Sequence, residues 1–276
     1  AQGEEGTPRA FERDEKERGA MLQANLQTNE CKVKSLAKAM HVLECFSVKA
    51  REMGVSEIAQ QLGYQKSTVF NILSTFEDLG YVEQNPQTGK YYLSLKIMHF
   101  SYIVNSHLDF RRMFQEPINQ IAHEVGEVCY LGIPYDRKVL YLDSAFPQGG
   151  GNYRSIAGET APMYCTGLGK AMLAFLPEDE RELVLREPRV KYTDNTIVEE
   201  SILRENLDEV RKNGFSVDNM EHEFGIRCVA VPVFGVNRDV VAAVSVSGPS
   251  LRFDPVSILH NYQTIARIIQ PMQYRL

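Results

Sequence analysis

No run of eighteen apolar residues occurs in the 276-residue chain, so nothing in the sequence has the length and hydrophobicity of a membrane-spanning helix. The first eighteen residues form a charged string without an apolar h-region. They read as the absence of a secretory signal and give the expectation of a cytoplasmic protein with no membrane partner. A disulfide framework and a zinc ribbon are also missing: the five cysteines (Cys31, Cys45, Cys129, Cys165, Cys228) are odd in number, widely spaced and contain no C-x-x-C pair, so reduced thiols are expected. There is no internal repeat, and no low-complexity stretch longer than Gly149-Gly150-Gly151.

Excess positive charge is lacking as well. The net charge is −6 overall, and residues 31–95, with seven Lys and Arg against six Asp and Glu, are positive by only one. The basic footprint of a strongly cationic nucleic-acid binder is therefore absent, and any affinity for DNA must come from local geometry. Hydrophobic residues make up 43% and charged residues 24% of the chain, close to the globular average of about 45–50% and about 25%, which excludes wholesale disorder. At roughly 100–200 residues per domain, the length suits one large domain or two ordinary ones.

Residues 1–30 read as a disordered N-terminal extension. From Val33 the helical period appears, with Leu36, Ala37, Met40, Leu43, Cys45 and Phe46 at three- and four-residue steps. A second, two-turn helix follows a short break, with Ser56 as its N-cap, Ile58, Ala59 and Leu62 on one face and Gly63 as its stop. Only Tyr64 and Gln65 separate it from a third pattern in which Val69, Ile72, Leu73, Phe76 and Leu79 share a face and Gly80 ends the helix. Helices joined by so tight a turn cross steeply, as in a helix-turn-helix, and the outer side of the second one is left free. At 100° per residue Ser67, Asn71, Ser74 and Asp78 lie opposite the apolar stripe, with Phe70 on the flank. The period then changes to two at Tyr81-Val82-Glu83-Gln84, residues 85–90 carry turn chemistry, and Tyr91-Tyr92-Leu93 resumes the strand pattern. Three helices and a hairpin over residues 31–95 make a winged helix-turn-helix.

The helix N-terminus that enters a major groove meets base edges and phosphate. Lys66, Ser67, Thr68 and Asn71 occupy that end. Asn71 is the expected specificity residue, because Asn bonds bidentately to adenine; Lys66 pairs with phosphate or guanine, Ser67 and Thr68 serve either surface, and Thr88 with Lys90 grips phosphate from the wing. Phe70 has two readings, contact with a thymine methyl or sugar edge, or packing under the wing. His41, among the apolar residues of the first helix, reads as structural.

Residues 96–107 form a helix with apolar residues on more than one side, expected to bury against a neighbour as a dimer-forming connector. Residues 108–276 mix strand hairpins with helices: a helix over 109–127, strands near 128–134 and 138–146, a Gly-rich loop at 148–152, a helix from about 166, helices at 177–186 and 199–213, strands at 215–218, 227–234 and 240–247, and a last helix over 255–270. This is an α+β domain with a mostly antiparallel sheet.

The order of winged helix and connector, then Pro162-Met163-Tyr164-Cys165-Thr166-Gly167-Leu168-Gly169-Lys170-Ala171, then Gly214-Phe215-Ser216-Val217-Asp218 with Glu221, Gly225-Ile226-Arg227-Cys228-Val229-Ala230-Val231-Pro232-Val233, and Val240-Val241-Ala242-Ala243-Val244-Ser245-Val246-Ser247-Gly248-Pro249, resembles the IclR family of bacterial transcription regulators. The resemblance covers nearly everything from Val33 to Leu276. It implies a homodimer or dimer of dimers on a pseudo-palindromic double-stranded operator, and a GAF-like C-terminal domain that binds a small metabolite, often an organic or aromatic acid. It departs from many relatives at Asn71, where they carry Arg, and at Met220, where they carry an acidic residue.

Thr166 and Gly167 open a helix whose free N–H groups suit a carboxylate. Ser245 and Ser247 alternate along one strand and face the same way. The resemblance places Asp218 and Cys228 around the same site; Met163, Ile226 and Tyr130 supply apolar walls. Enzyme and metal readings stand beside this one. Gly169-Lys170 fails as a phosphate loop, since Tyr164 stands where Gly is needed and Ala171 where Ser or Thr is needed, and no G-x-S-x-G elbow is present. A sensor enzyme with Cys165 or Cys228 as nucleophile is the alternative function, and a metal site from Cys165, Glu221, His222 and Cys228 the alternative ligand set. No cofactor, no metal and no catalytic residue is expected.

Overall fold

The computed structural model describes residues 31–48, 50–106, 109–148 and 155–275. The N-terminal extension and nearly all of the Gly-rich loop lie outside the described residues. The chain divides into two compact units, Ala1–His107 and Leu108–Leu276.

In the first unit three helices, α1 (Lys34–Glu44), α2 (Val55–Leu62) and α3 (Lys66–Asp78), precede a two-stranded hairpin of β1 (Val82–Gln84) and β2 (Tyr91–Leu93), and α4 (Ile97–Ser106) follows. Val42, Ile58, Leu62, Val69, Leu73 and Val82 are fully buried and join the three helices to the hairpin. Each such side chain contributes roughly 1.5–3 kcal/mol. The expected stripe of α1 is corrected in part: Cys45 and Phe46 are buried as expected, but Leu36 and Met40 stay exposed and Val42, outside the stripe, is fully buried. The N-cap of α2 is Gly54 rather than Ser56, because the Glu57 carboxylate reaches back and accepts the Gly54 N–H at 2.6 Å. Gly63, at φ 68°, ends that helix in the left-handed region where glycine is favoured. Met53 and Tyr91 exchange two backbone hydrogen bonds of 2.9 Å, which ties the start of α2 to the wing. Of the helix-three stripe, Leu79 is exposed at the helix end.

In the second unit a six-stranded, wholly antiparallel sheet has the order β5-β4-β3-β8-β7-β6, with β3 (Val128–Tyr135), β4 (Lys138–Ala145), β5 (Thr160–Pro162), β6 (Ser216–Asn219), β7 (Ile226–Phe234) and β8 (Val240–Pro249). The α5 (Asp109–Val125) and α9 (Pro255–Ile269) helices cover one face through Phe114, Ile118, Ile121 and Ile265 against Val229, Val231, Val244 and Val246. The other face carries α6 (Gly167–Leu173), with α7 (Glu178–Leu185) and α8 (Glu200–Asn213) packed around it. Strand β5 has no counterpart in the sequence pattern. It is three residues long and ends in Pro162, which an edge strand tolerates because no further strand needs its missing N–H.

Candidate nucleic-acid interface and ligand site

Helix α3 buries Val69 and Leu73 and turns Lys66, Ser67, Phe70 and Asn71 to solvent, with Thr68 half-buried between them. Phe70 is 52% exposed, so packing under the wing is ruled out and its ring stands on the polar face. Thr68, Asn71 and Thr75 line one side of an open groove of about 470 Å³, and Lys34 and Lys38 of α1 line the other. The two lysines are not singled out by the sequence pattern, although their spacing of one helical turn places them on a common face. Lys38 Nζ lies 5.5 Å from the centre of the Tyr64 ring, and the Tyr64 hydroxyl is 3.2 Å from His41 Nδ1. The turn between α2 and α3 is thereby pinned to α1, and His41 has a structural partner.

The wing is less free than its composition suggests. Asn85 accepts the Gln87 N–H at 2.9 Å and closes the turn. The Thr88 hydroxyl then donates to Glu52 at 3.2 Å, and Lys90 Nζ pairs with Glu57 at 2.7 Å. The Gly54 N–H and the Lys90 ammonium hold the Glu57 carboxyl below its usual range. Both expected phosphate grips are thus engaged by carboxylates of the segment leading into and through α2.

In the second unit the strand register assembles the ligand-site residues. Asp218 pairs with Cys228 and Cys228 with Ser247, while Ser216 pairs with Ala230, Ala230 with Ser245 and Ser245 with Tyr130. Directly paired residues share a face, so Asp218, Cys228, Ser247, Ser245, Tyr130 and Ile226 all lie on the α6 side of the sheet. Ser247 donates to Cys228 Sγ at 2.8 Å. Met163 is fully buried in the core beneath α6. Gly167 packs directly on β7: a Cβ there would sit 3.1 Å from that of Cys228, so the glycine sets the closeness of helix to sheet. Thr166 caps α6, accepting the Gly169 N–H at 3.1 Å and donating to the Pro162 carbonyl at 2.8 Å. Its hydroxyl is therefore committed to the helix start, and the part expected of Thr166 toward a ligand rests on the backbone N–H groups of that end.

The sequence pattern does not reveal the charge buried beside this row. Lys170, wholly buried on α6, pairs with Glu221 at 2.5 Å. The Glu221 N–H donates to Asp218 Oδ1 at 2.7 Å, and the Thr193 and Thr196 hydroxyls hold the Met220 and Glu221 carbonyls at 2.7 and 2.6 Å. Burial pushes Asp218 up to about 7; the Glu221 charge adds to this, and Lys170 with the N–H groups of Glu221 and His222 opposes it. Burial, then the Asp218 carboxylate, raises the Cys165 and Cys228 thiols well above their ordinary values. A thiol held neutral is a poor nucleophile, which removes the chemical basis of the cysteine-enzyme alternative. Among the described residues no three His, Cys, Asp or Glu side chains are grouped to hold a metal ion, and Glu221, one of the alternative ligands, is already taken by Lys170.

A winged helix-turn-helix joined by a connector helix to a sheet domain with a polar row under a short helix defines a ligand-responsive DNA-binding regulator rather than an enzyme. Comparison with known proteins makes the family specific. Residues 35–86 match the IclR helix-turn-helix domain and residues 102–269 the C-terminal domain of bacterial transcriptional regulators of the IclR type. The HTH-type transcriptional regulator KdgR of Escherichia coli (strain K12) is 32% identical over 234 residues, covering 84% of this chain and 89% of that protein. XynR of the same strain is 30% identical over 227 residues, covering 82% and 90%. The crystal structure of an IclR transcriptional regulator from Alicyclobacillus acidocaldarius superposes with a TM-score of 0.77 at 29% identity, covering 86% of this chain and 96% of that one. The chain belongs to the IclR family of bacterial transcriptional regulators.

Proposed function

We propose that this regulator binds a pseudo-palindromic operator as a homodimer or dimer of dimers in the cytoplasm, and that a small carboxylate bound in the second unit governs its hold on DNA. Helix α3 lies in the major groove with Asn71 on an adenine, Lys66 on phosphate or guanine, Ser67 and Thr68 on either surface and Phe70 against a thymine methyl. Thr88 and Lys90 reach the adjoining backbone, and two copies engage half-sites about 34–36 Å, or a multiple of that, apart. The observation that carries the DNA reading is the common exposure of Lys66, Ser67, Phe70 and Asn71 opposite the buried Val69 and Leu73. Exposed Met98, Tyr102, Ile103 and Val104 on α4, with Phe100 stacked on Tyr81 at 5.9 Å, support pairing of two copies through that helix.

Effector recognition is assigned to Asp218, Cys228, Ser245 and Ser247, with Met163 and Ile226 as apolar walls and the Thr166-Gly167 backbone at the start of α6. The register that puts these strand residues on one face beneath α6 supports it. The regulated genes belong, on this reading, to a catabolic or metabolic operon. Ligand binding shifts DNA affinity only through different affinities for two arrangements of the protein. Selection of bound fragments from a genomic library, followed by footprinting at modest ionic strength with and without small organic acids, tests the whole. A protected pseudo-palindrome whose occupancy changes with one acid is the expected result, and no protected sequence under any condition overturns it.

A further inference from the structure

Lys170, Glu221 and Asp218 form a sealed cluster of two carboxylates and one ammonium, each at most 3% exposed. Lys170 donates to Glu221 Oε1, which also accepts the Asn219 N–H at 3.2 Å, whereas Glu221 Oε2 is buried with no hydrogen-bond partner. The turn that carries Glu221 is fixed by Thr193 and Thr196 and by Met220 at φ 60°, so the two carboxylates are not free to separate. The groups that face Asp218 from the packed elements are Lys170 on α6, Cys165 just before it, Cys228 on β7 and Tyr141 on β4, with Glu221 and the His222 N–H from its own turn; the exposed Glu223 acts on Cys228. The His222 ring lies against Tyr192, with centroids 5.2 Å apart. The two thiols and the phenol stay neutral, so with both carboxylates ionised the cluster carries one uncompensated negative charge away from water. Adding an anionic ligand beside Asp218 would make it two, which burial strongly opposes.

We propose that a carboxylate effector binds together with one proton taken from solvent by the Asp218–Glu221 pair, so that the site recognises an anion plus a proton and not the anion alone. This rests on the assignment of the Asp218–Cys228–Ser247 row as the effector site. The proton forms an O–H bond on the Asp218 carboxyl, which changes that group from an acceptor that repels the incoming carboxylate to a donor that can bond it. The net charge of the cluster and its ligand is then the same as that of the cluster before binding. The raised position of Asp218 near neutrality means the proton is available in the physiological range.

The test uses the full chain and the sodium salts of acetate, lactate, succinate and benzoate, screened by thermal shift at pH 6.0 and 8.5. For any salt that binds, calorimetric titration in buffers of different ionisation enthalpy counts the protons exchanged. About one proton should be taken up at pH 8.5, and affinity should fall about tenfold per pH unit above neutrality, or roughly thirtyfold between the two conditions. Glu221→Gln keeps the shape and an oxygen that can accept from Lys170 but removes one negative charge, and should reduce the pH effect to less than threefold, with circular dichroism and thermal unfolding of the full chain confirming that the second unit is folded. Binding with equal affinity at both pH values and no proton exchange overturns this inference and leaves the effector assignment standing. If none of the salts binds at either pH, the carboxylate assignment itself falls, and this inference falls with it.

Discussion

Lys90 Nζ lies 2.7 Å from Glu57 Oε1, which joins the wing to the helix in front of the recognition helix through a carboxylate that also caps that helix at Gly54. With both side chains about half exposed, the pair adds little to stability, of order 0–1 kcal/mol. On the proposed wing contact its effect on DNA is the larger one, because a phosphate would have to displace Glu57 to reach Lys90. Glu57→Gln preserves the cap, since Gln serves equally at the third helical position. It is expected to tighten operator and non-operator DNA alike by about two- to fivefold and to steepen the salt dependence by up to about one charge, read by fluorescence anisotropy over a salt series. Unchanged affinity would show that Lys90 does not reach the backbone.

Substitution of Asn71 and Lys66 should separate sequence reading from simple attraction. Asn71→Ala is expected to lose about 1–3 kcal/mol of discrimination at one operator position and little elsewhere. Lys66→Ala should weaken all sequences similarly and flatten the salt slope by about one. Competition binding against single-base operator variants distinguishes them; equal losses from both changes would remove Asn71 from base reading.

Replacing Ser245 and Ser247 together by Ala removes two hydroxyls from the α6 side of the sheet, one of them bonded to the Cys228 thiol. The double variant should bind operator normally and no longer respond to the acid that releases or recruits the parent. A retained response in a footprinting titration would place the effector elsewhere.

Lys170→Met leaves Glu221 buried without its cation. Breaking a buried pair from one side costs about 3–5 kcal/mol, so thermal unfolding of the second unit should fall sharply. Adding Glu221→Gln to the same chain should recover much of the loss. A single variant as stable as the parent would show that water reaches the pair.

The stability of the second unit should also depend on pH through Asp218. Burial raises its carboxyl from the ordinary value of 3.8 to about 7 in the folded chain. Between these values the folded state holds more protons than the unfolded one, so stability falls as pH rises from about 4 to about 7 and is level above. The span is about 4 kcal/mol at most. Asp218→Asn should flatten the curve over this window in urea titrations of the full chain; a parent curve that rises from pH 4 to 7 would contradict the assignment.

What was legible in the sequence follows from periodicity. Three- and four-residue steps placed Val69 and Leu73 inside and Ser67 and Asn71 outside, and the two-residue step of Ser245 and Ser247 put both on one face. Periodicity does not say which of two apolar flanks is covered, and so the stripe through Leu36 and Met40 was expected inside α1 while Val42 fills the core. Nor does it reach across the chain. Glu57 meets Lys90 over 33 residues, by way of the Met53–Tyr91 bridge, and Glu221 meets Lys170 over 51. Both pairs are products of tertiary folding, with no local pattern to announce them. Phe70, on a helix flank, was open between two environments until its surroundings were known.

The outer strands of the six-stranded sheet are its shortest, three residues in β5 with Pro162 at the end and four in β6. A flank so brief, and on one side interrupted by a residue without an amide hydrogen, offers almost no backbone ladder for a further chain to extend. The proposed pairing of copies is therefore left to side chains such as those exposed on α4, where contacts can loosen and re-form, since these edges give little purchase for fusing two sheets into one lasting ribbon.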